Sequence, residues 1–260
     1  MEIKKRNMKI SIITPTLNSA ETIRDCIESV KNQTYTNIEH IIVDGGSTDA
    51  TLEIVKGYVH TYNLKFISEK DNGVYDAMNK GIKMSTGDVI GILNSDDMYS
   101  DNTVLEIVAI AFLTNHIDCL YGDLVYVDKH DTSKVVRYWK SREYQEGLFH
   151  KGWHPPHPTF FCKRICYEKY GTYNIDFKFA ADYELMLRFL EKHKLRSLYI
   201  NKVLVKMRVG GISNRSIFNI IKANIECYKA WKVNGLHINP IMLILKPLSK
   251  IFQYIKSCES

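Results

Sequence analysis

Acidic residues directly follow two of the apolar runs in the first half of the chain. Asp96 and Asp97 come after the run at residues 89–93, at the end of the stretch LNSDD. A carboxylate pair beside a buried strand is costly unless a cation or hydrogen-bond donors compensate its charge. The pair therefore indicates either a hard divalent ion that holds phosphate oxygens or a solvated turn that caps a helix, and spacing alone leaves both open.

The second acidic turn has the sequence DGGSTD, residues 44–49, and follows the apolar run at 39–43. Its glycines allow the backbone to approach a ligand closely, and Ser47 is of a residue type that caps a following helix. Asp44, like the pair at 96–97, is therefore expected at the carboxyl end of a strand.

Alternating strand and helix patterns place these turns in one fold. Apolar runs predict strands at residues 9–14, 39–43, 64–68 and 89–93. Apolar residues at helical spacing predict one helix after Asn18, which would cap it, a second after Ser47, and a third at residues 74–84. Short strand-helix units of this kind predict a three-layer α/β fold with a mostly parallel central sheet. Ligands of such folds bind beyond the carboxyl ends of the strands.

The composition is that of an ordinary globular protein. Of 260 residues, 45% are hydrophobic and 25% are charged, which excludes a disordered or fibrous chain. No P-loop or GxGxxG motif is present, which weakens an ATPase, kinase or dinucleotide-binding interpretation. The six cysteines form no CxxC pair, so free thiols in a reducing compartment are favoured over disulfides or zinc ligands.

No stretch of the sequence predicts a membrane span. The longest uncharged stretch, residues 233–245, has 13 residues and is interrupted by Pro240 and by the polar residues Asn234, His237 and Asn239. It is shorter than the ~20 apolar residues that span a bilayer. The basic first residues are followed by no cleavage pattern, so we identify no signal peptide and expect the protein to stay inside the cell.

Most of the net charge of +6 lies at residues 217–260, where six lysines stand against two glutamates. Apolar residues recur there at helical spacing. One face comprises Phe218, Ile221, Ile225 and Tyr228, and a second, after Pro240, comprises Leu248, Ile251, Phe252 and Ile255. Basic amphipathic helices either lie in the interface of an anionic bilayer or pack on their own domain, and the pattern allows both.

Seven stretches together resemble one known family. They are SIITPTLN (11–18), VDGGSTDAT (43–51), EKDNGVYDAMNKGIKMSTGD (69–88), LNSDD (93–97), YGD (121–123), HPPHPTFF (154–161) and ADYELMLRF (181–189). Over about residues 8–213 the chain resembles the family 2 inverting glycosyltransferases of the GT-A fold, particularly those that build bacterial surface polysaccharides such as O-antigen in lipopolysaccharide. The resemblance implies a GT-A domain at 1–213, with a nucleotide-sugar half at about 8–98 and an acceptor half at 99–213, and a basic helical tail at 214–260.

By this resemblance the first half binds a nucleotide sugar. Pro15 and Thr16 line the base and ribose pocket, and Asp44 accepts a hydrogen bond from a uracil-type ring, a role that suits an acceptor-only carboxylate. Asp71 and Lys80 flank the helix that carries AMNKG. Lys80 is placed either near the diphosphate as a point charge or in solvent at the helix end.

The NSDD turn takes the place of the family's DXD metal motif, with Asn94 in the first position. The resemblance implies that Asp96 lies nearer the ribose and Asp97 on a divalent ion, Mn²⁺ or Mg²⁺, and it leaves open which of the two carboxylates ligates the metal. Such an ion would stabilise the departing diphosphate.

In the second half, Asp182 matches the family's catalytic base, which accepts the proton of the acceptor hydroxyl. By position alone, a helix N-cap is the commoner explanation for an acidic residue at a helix start. Asp123 in YGD, His157 in HPPHPTFF and Arg208 resemble contacts to the acceptor or the diphosphate, Arg208 with the glycines at 210–211 as a closing loop.

The function implied is transfer of a hexose from a UDP-hexose to a lipid-diphosphate-linked saccharide, with a β-linkage, at the inner face of the cytoplasmic membrane and without nucleic acid. Two alternatives stay open. A nucleotide-sugar pyrophosphorylase of similar fold requires a glycine-rich phosphate loop after the first strand, where this chain has TPTLNSAET. A noncatalytic nucleotide- or glycan-binding module would bind the donor without turnover.

Overall fold

The computed structural model describes residues 8–210 and 217–238. Within these residues the strands are β1 (Ile10–Thr16), β2 (Ile38–Asp44), β3 (Leu64–Ser68), β4 (Val89–Ile92), β5 (Asp97–Tyr99), β6 (Cys119–Val127), β7 (Val135–Trp139), β8 (Phe161–Lys163) and β9 (Ser197–Arg208). The α-helices are α1 (Ile23–Lys31), α2 (Thr51–Lys56), α3 (Val74–Met84), α4 (Val104–Thr114), α5 (Arg164–Tyr170), α6 (Ala181–Leu187) and α7 (Ile217–Val233). A single π-helical turn, Arg188–Lys192, continues α6.

The strands and helices predicted for the first half are confirmed. Strand β3 and helix α3 have the predicted bounds, and β1, β2 and β4 differ from prediction by one or two residues at their ends. The predicted helix cap at Asn18 is wrong, because Asn18 adopts a left-handed conformation with φ of 49° and its side chain accepts a hydrogen bond from the Thr48 amide. Helix α1 begins five residues later, at Ile23.

The N-terminal half of the sheet is parallel, in the order β3-β2-β1-β4. All of β1 and β2 is in register, so that Thr16 at the end of β1 lies beside Asp44 at the end of β2. This register brings the first two candidate site segments to one edge of the sheet.

The remainder of the sheet is mixed, in the order β8-β6-β9-β5 beyond β4. Strand β8 is antiparallel to both β4 and β6, β7 is antiparallel to β6, and β9 is parallel to β6. Strands β6 and β7 follow each other across a short turn, which permits only antiparallel pairing, whereas parallel neighbours need a crossover connection. The predicted α/β fold is confirmed, with the parallel pairing concentrated in the first half.

Helices cover both faces of the sheet, as a three-layer fold requires. On one face, α3, α5, α6 and α7 contribute to a large apolar cluster with residues such as Ile13, Ile41 and Tyr121. On the other face, α1 and α4 pack against residues that include Ile10, Ile12 and Leu124. Helix α3 lies so close to β1 that a β-carbon at Gly81 would stand 2.3 Å from Cγ2 of Ile13.

Helix α7 packs on the domain through residues outside the apolar face that the sequence analysis identified. Cys227, Ala230 and Trp231 are buried against the domain. Ile221 and Ile225, which belong to the predicted apolar face, are 51% and 61% exposed. The second predicted segment, after Pro240, lies outside the described residues, and no helix among the described residues is long and apolar enough to cross a membrane.

Candidate active site

Thr16 and Asp44 lie side by side where β1 and β2 end. Both are buried, as is Pro15 in β1. The Thr16 hydroxyl oxygen has no hydrogen-bond partner among the described residues. A buried hydroxyl without a partner is unusual in a folded protein, so this strand end is suited to a polar ligand.

The Asp44 carboxylate organises the turn that follows β2. Its Oδ2 accepts hydrogen bonds from the amides of Gly46 and Ser47, each at 3.0 Å, and from the Ser68 hydroxyl at 2.7 Å. Its Oδ1 accepts the Ser47 hydroxyl. The predicted capping role of Ser47 is therefore wrong, and Asp49 instead accepts the Thr51 amide at the start of α2, at 3.0 Å.

The loop between β3 and α3 brings Asp71 against this turn. A β-carbon at Gly45 would lie 2.4 Å from Asp71 Oδ2, so only glycine permits the approach. Asp71 Oδ1 accepts the Gly73 amide at 2.9 Å. The Lys80 ammonium group donates to the Lys70 carbonyl at 2.9 Å and pairs with Glu69 at 2.9 Å. Lys80 thus fixes the loop that presents Asp71, and its contact with a diphosphate stays a prediction.

The NSDD turn contains a buried carboxylate that is incompletely satisfied. Asp97 is 0% exposed, and its Oδ2 accepts a hydrogen bond from the Asn94 side chain at 3.0 Å. Its Oδ1 has no hydrogen-bond partner among the described residues. Burial, and after it the charge of Asp96, raises the pKa of Asp97 well above its ordinary value. Asp96 is half-buried, so it is the carboxylate of the pair that faces solvent.

Asp96 and Asp97 fit a divalent ion if a bound ligand supplies the rest of its coordination. No group of three or more His, Cys, Asp or Glu side chains that could hold a metal occurs in the part of the chain that the structure describes. Mg²⁺ and Mn²⁺ commonly combine one or two carboxylates with phosphate oxygens of the ligand. The unpartnered Oδ1 of Asp97 beside Asp96 therefore suits an ion whose remaining ligands come from a bound diphosphate.

Arg208, at the end of β9, lies behind the same turn. Its guanidinium group donates to the Asp96 carbonyl at 3.0 Å and to the Lys129 carbonyl at 3.3 Å, and it contacts the Asp25 carboxylate. Arg208 is buried, so it holds the turn in place and adds positive charge next to it. Most of the closing loop predicted after Arg208 lies outside the described residues.

Asp182 is the second residue of α6 and does not cap it. The residue before the helix is Ala180, which makes no side-chain capping bond. Asp182 Oδ1 accepts hydrogen bonds from the amide of Tyr183 at 2.8 Å and from the Tyr75 hydroxyl at 3.2 Å. The alternative that Asp182 is an N-cap is therefore not what the structure shows, and its carboxylate is oriented by a phenol from α3.

A chain of aromatic contacts extends from Tyr75 to His157. The rings of Tyr75 and Tyr173 stack with centroids 5.7 Å apart, and the Tyr173 hydroxyl lies 2.7 Å from His157 Nε2. Asn79 fixes Tyr173 by two hydrogen bonds to its backbone, at 2.8 and 2.9 Å. Burial lowers the pKa of His157, against the opposing charge of Asp182. His157 is thus joined to the surroundings of Asp182.

The sequence did not single out Tyr75, Asn79 or Tyr173. Tyr75 and Asn79 stand four residues apart in VYDAMNKG, so they share one face of α3. That spacing was the available signal, although it did not reveal the partner of either side chain.

Asp123 is fully buried in β6, and its carboxylate is satisfied within the protein. It accepts the hydroxyls of Tyr138 and Tyr199, at 2.6 and 2.8 Å, and the amide of Ser141 at 2.7 Å. Three donors from β7, the segment after it, and β9 therefore meet on one carboxylate. Asp123 holds β6, β7 and β9 together, and a direct contact between Asp123 and an acceptor stays a prediction.

Comparison with known proteins shows one consistent similarity. The sequence model described as glycosyl transferase family 2 matches residues 11–171. A PGL/p-HBAD biosynthesis glycosyltransferase from Mycobacterium bovis (strain BCG / Pasteur 1173P2) is 33% identical over 208 residues, which cover 78% of each chain.

Solved structures share the fold at lower identity. The TarS 1-349 structure from S. aureus in complex with UDP-GlcNAc has a TM-score of 0.65 at 20% identity and covers 88% of this chain and 66% of its own. A mannosyltransferase, PcManGT from Pyrobaculum calidifontis in complex with GDP-Man and Mn²⁺, has a TM-score of 0.65 at 15% identity, covering 98% and 77%. The chain spans 43% of a longer TarS chain. These similarities show the GT-A fold.

Proposed function

The chain belongs to glycosyl transferase family 2, and from that membership we propose that it transfers a hexose from a UDP-hexose to a saccharide acceptor with inversion at the anomeric carbon. The observation that carries the proposal is the NSDD turn. There a fully buried carboxylate oxygen of Asp97 lacks a partner among the described residues, next to a second carboxylate. Such a site is satisfied by a divalent cation, whose remaining ligands a nucleoside diphosphate would supply.

The donor is held at the ends of β1 and β2. Pro15, the unpartnered hydroxyl of Thr16, and the carboxylates of Asp44 and Asp71 lie at or beside these strand ends, where they suit a uridine base and ribose. A ring N–H group of the base would donate to Asp44 and replace the hydrogen bond from the hydroxyl of either Ser47 or Ser68. Structures of the same fold have been solved with UDP-GlcNAc and with GDP-Man, which supports a nucleotide sugar as ligand.

Asp96 and Asp97 would hold the metal, Mn²⁺ or Mg²⁺, with Asp96 on the solvent side and Asp97 beneath it. When bound, the ion neutralises charge that develops on the departing diphosphate. Arg208 adds positive charge next to the turn that it fixes, and Lys80 fixes the loop of Asp71.

Asp182 acts as the general base. As the acceptor hydroxyl oxygen bonds to the anomeric carbon, the carbon–oxygen bond to the diphosphate breaks and the hydroxyl proton passes to the Asp182 carboxylate. Tyr75 donates to Oδ1 of that carboxylate, which leaves Oδ2 to accept the proton. Inversion converts an α-linked donor into a β-linked product.

The acceptor is a saccharide on a lipid diphosphate, as in O-antigen or other surface polysaccharide assembly, bound on the side of Asp123 and His157. The exposed Ile221 and Ile225 of α7, with lysines on the same helix, support peripheral contact with the anionic inner face of the cytoplasmic membrane.

The test is an assay of the purified protein with a panel of nucleotide sugars, Mn²⁺ or Mg²⁺, and a synthetic saccharide diphosphate lipid. We expect one UDP-hexose to yield a β-linked product, identified by mass and NMR, with Asp182→Asn as the inactive control. Tight donor binding without product would favour a noncatalytic module, and formation of nucleotide sugar from sugar phosphate and UTP would favour a pyrophosphorylase.

A further inference from the structure

Glu226, on the C-terminal helix α7, binds a segment that is distant in sequence. Its Oε1 accepts the amide of Lys178 at 2.9 Å. Its Oε2 accepts the amides of Phe179 and Ala180 at 2.8 and 2.9 Å. One carboxylate thus accepts three successive backbone N–H groups, and hydrogen bonds to an ionised acceptor are stronger than neutral ones.

These three amides belong to the backbone that leads into α6. They precede the first helical residue, so they have no partner inside the helix. Ala180 is buried, and a buried N–H group without a partner would cost free energy. The conformation of residues 178–180, and with it the start of α6, therefore depends on a side chain from α7.

Asp182 lies only two residues beyond this segment. Its side chain has contacts with the Tyr183 amide and the Tyr75 hydroxyl, while the backbone that carries it is held from the other side by Glu226. A base has to stand within hydrogen-bond reach of the proton that it accepts, and a displacement of about 1 Å can lower a rate ~100-fold.

We propose that Glu226 is a positioning residue for Asp182. It orders residues 178–180 and so sets where the Asp182 carboxylate stands relative to the acceptor hydroxyl. The inference rests on the proposed function in one respect, that Asp182 is the base. It adds that helix α7 contributes to catalysis by holding the backbone that precedes Asp182.

Helix α7 also offers a matched control at its other end. Asn234, just after α7, donates to Glu184 Oε1 at 2.9 Å. Glu184 keeps its ion pair with Arg188 if that contact is removed. Asn234→Ala therefore loosens α7 on α6 without touching residues 178–180. Glu226→Gln keeps the size of the side chain and replaces one acceptor oxygen by an amide NH2 group, which would oppose a backbone N–H group.

The experiment compares the full chain with Glu226→Gln and Asn234→Ala. Hydrogen exchange of the amides of residues 178–180 should become at least tenfold faster in Glu226→Gln and stay unchanged in Asn234→Ala. The two variants are compared under conditions in which both have lost the same number of degrees of melting temperature. The kcat should then fall roughly 10- to 100-fold in Glu226→Gln alone, and the donor KM of that variant should stay within twofold of the unmodified chain.

Unchanged exchange at residues 178–180 in Glu226→Gln would overturn the inference, as would equal kcat losses in the two variants. Failure of the proposed function looks different, because the unmodified chain would then transfer no sugar from any donor. If Glu226→Gln does not fold, Glu226→Asp, which keeps the charge on a shorter side chain, is measured by the same two readouts.

Discussion

The hydroxyl of Tyr75 in α3 donates a hydrogen bond to Oδ1 of Asp182 in α6, at 3.2 Å and across 107 residues of sequence. Helix α3 begins directly after the loop of Asp71, in the half proposed to bind the donor, whereas α6 lies in the half proposed to bind the acceptor. The contact therefore joins the two halves of the site. The orientation of the Asp182 carboxylate therefore depends on α3, which follows the loop of Asp71.

Asp182→Asn should lower transfer by a factor on the order of 10² to 10⁴, the usual contribution of a general base. Asparagine can still accept the hydrogen bonds from the Tyr183 amide and the Tyr75 hydroxyl, so fold and donor affinity should survive. The acidic limb of the pH–rate profile should disappear. The measurements are kcat, donor Kd and melting temperature, and more than about a tenth of the original kcat would move the base elsewhere.

Tyr75→Phe should lower kcat roughly tenfold with little change in donor KM, because it removes one oriented donor to Asp182 and keeps the ring stacked on Tyr173. Tyr173→Phe is the matched control, since it removes the hydroxyl that contacts His157 and leaves the Asp182 contact intact. Equal kcat losses in both variants would show that the Tyr75 hydroxyl has no separate role.

Asp97→Asn should separate stability from activity. The substitution removes a carboxyl group whose ionised form is penalised by burial, while the Asn94 hydrogen bond can be kept. The melting temperature of the metal-free protein should therefore stay the same or rise by a few degrees. Transfer should be lost, and Mn²⁺ should no longer raise the melting temperature in the presence of UDP. Full transfer by the unmodified chain in excess EDTA would contradict a metal at this turn.

Glu39 should make the stability of the fold sensitive to acid. It is buried, and although burial alone would raise the pKa of Glu39, hydrogen bonds from Ser11, Lys9 and the Thr86 amide lower it to about 2 from an ordinary 4.5. A lowered carboxyl pKa contributes stability above the unfolded value, and that contribution is lost as pH falls from about 4.5 toward about 2.

Glu39→Gln should therefore unfold at lower urea than the unmodified chain at pH 7, and the difference should narrow between pH 4.5 and pH 2. Glu39 is the second residue of β2, at the opposite end of the strand from Asp44. The substitution should therefore leave kcat unchanged. A gap in urea midpoint that is constant with pH would contradict the role of the ionised carboxylate.

The first half of the fold could be predicted because its signals are local. The apolar run of β3 and the helical spacing of α3 fix those elements within a few residues, and their bounds match the structure. Acidic residues at the ends of β2 and β4 could be placed at one sheet edge by the same logic, since parallel strands end together.

The relationships within the second half could not be predicted, because they join distant segments. The three donors to Asp123 come from Tyr138, Ser141 and Tyr199, up to 76 residues away. The face of α7 that packs on the domain could not be predicted either. Helical spacing gave the face of Ile221 and Ile225, but Trp231 packs into the core and donates to the Tyr183 hydroxyl at 3.0 Å.

The dependence of residues 178–180 on Glu226 has a consequence for the time course of synthesis. The chain is made from its N-terminus, so Ala180 is added 46 residues before the carboxylate that binds it. At about 5 to 20 residues per second, this amounts to roughly 2 to 9 seconds in which the segment exists without its partner. A nascent chain that already contains all the strands described here would therefore still lack the three hydrogen bonds that order residues 178–180, and the proposed base would reach its final position only after Glu226 has been translated.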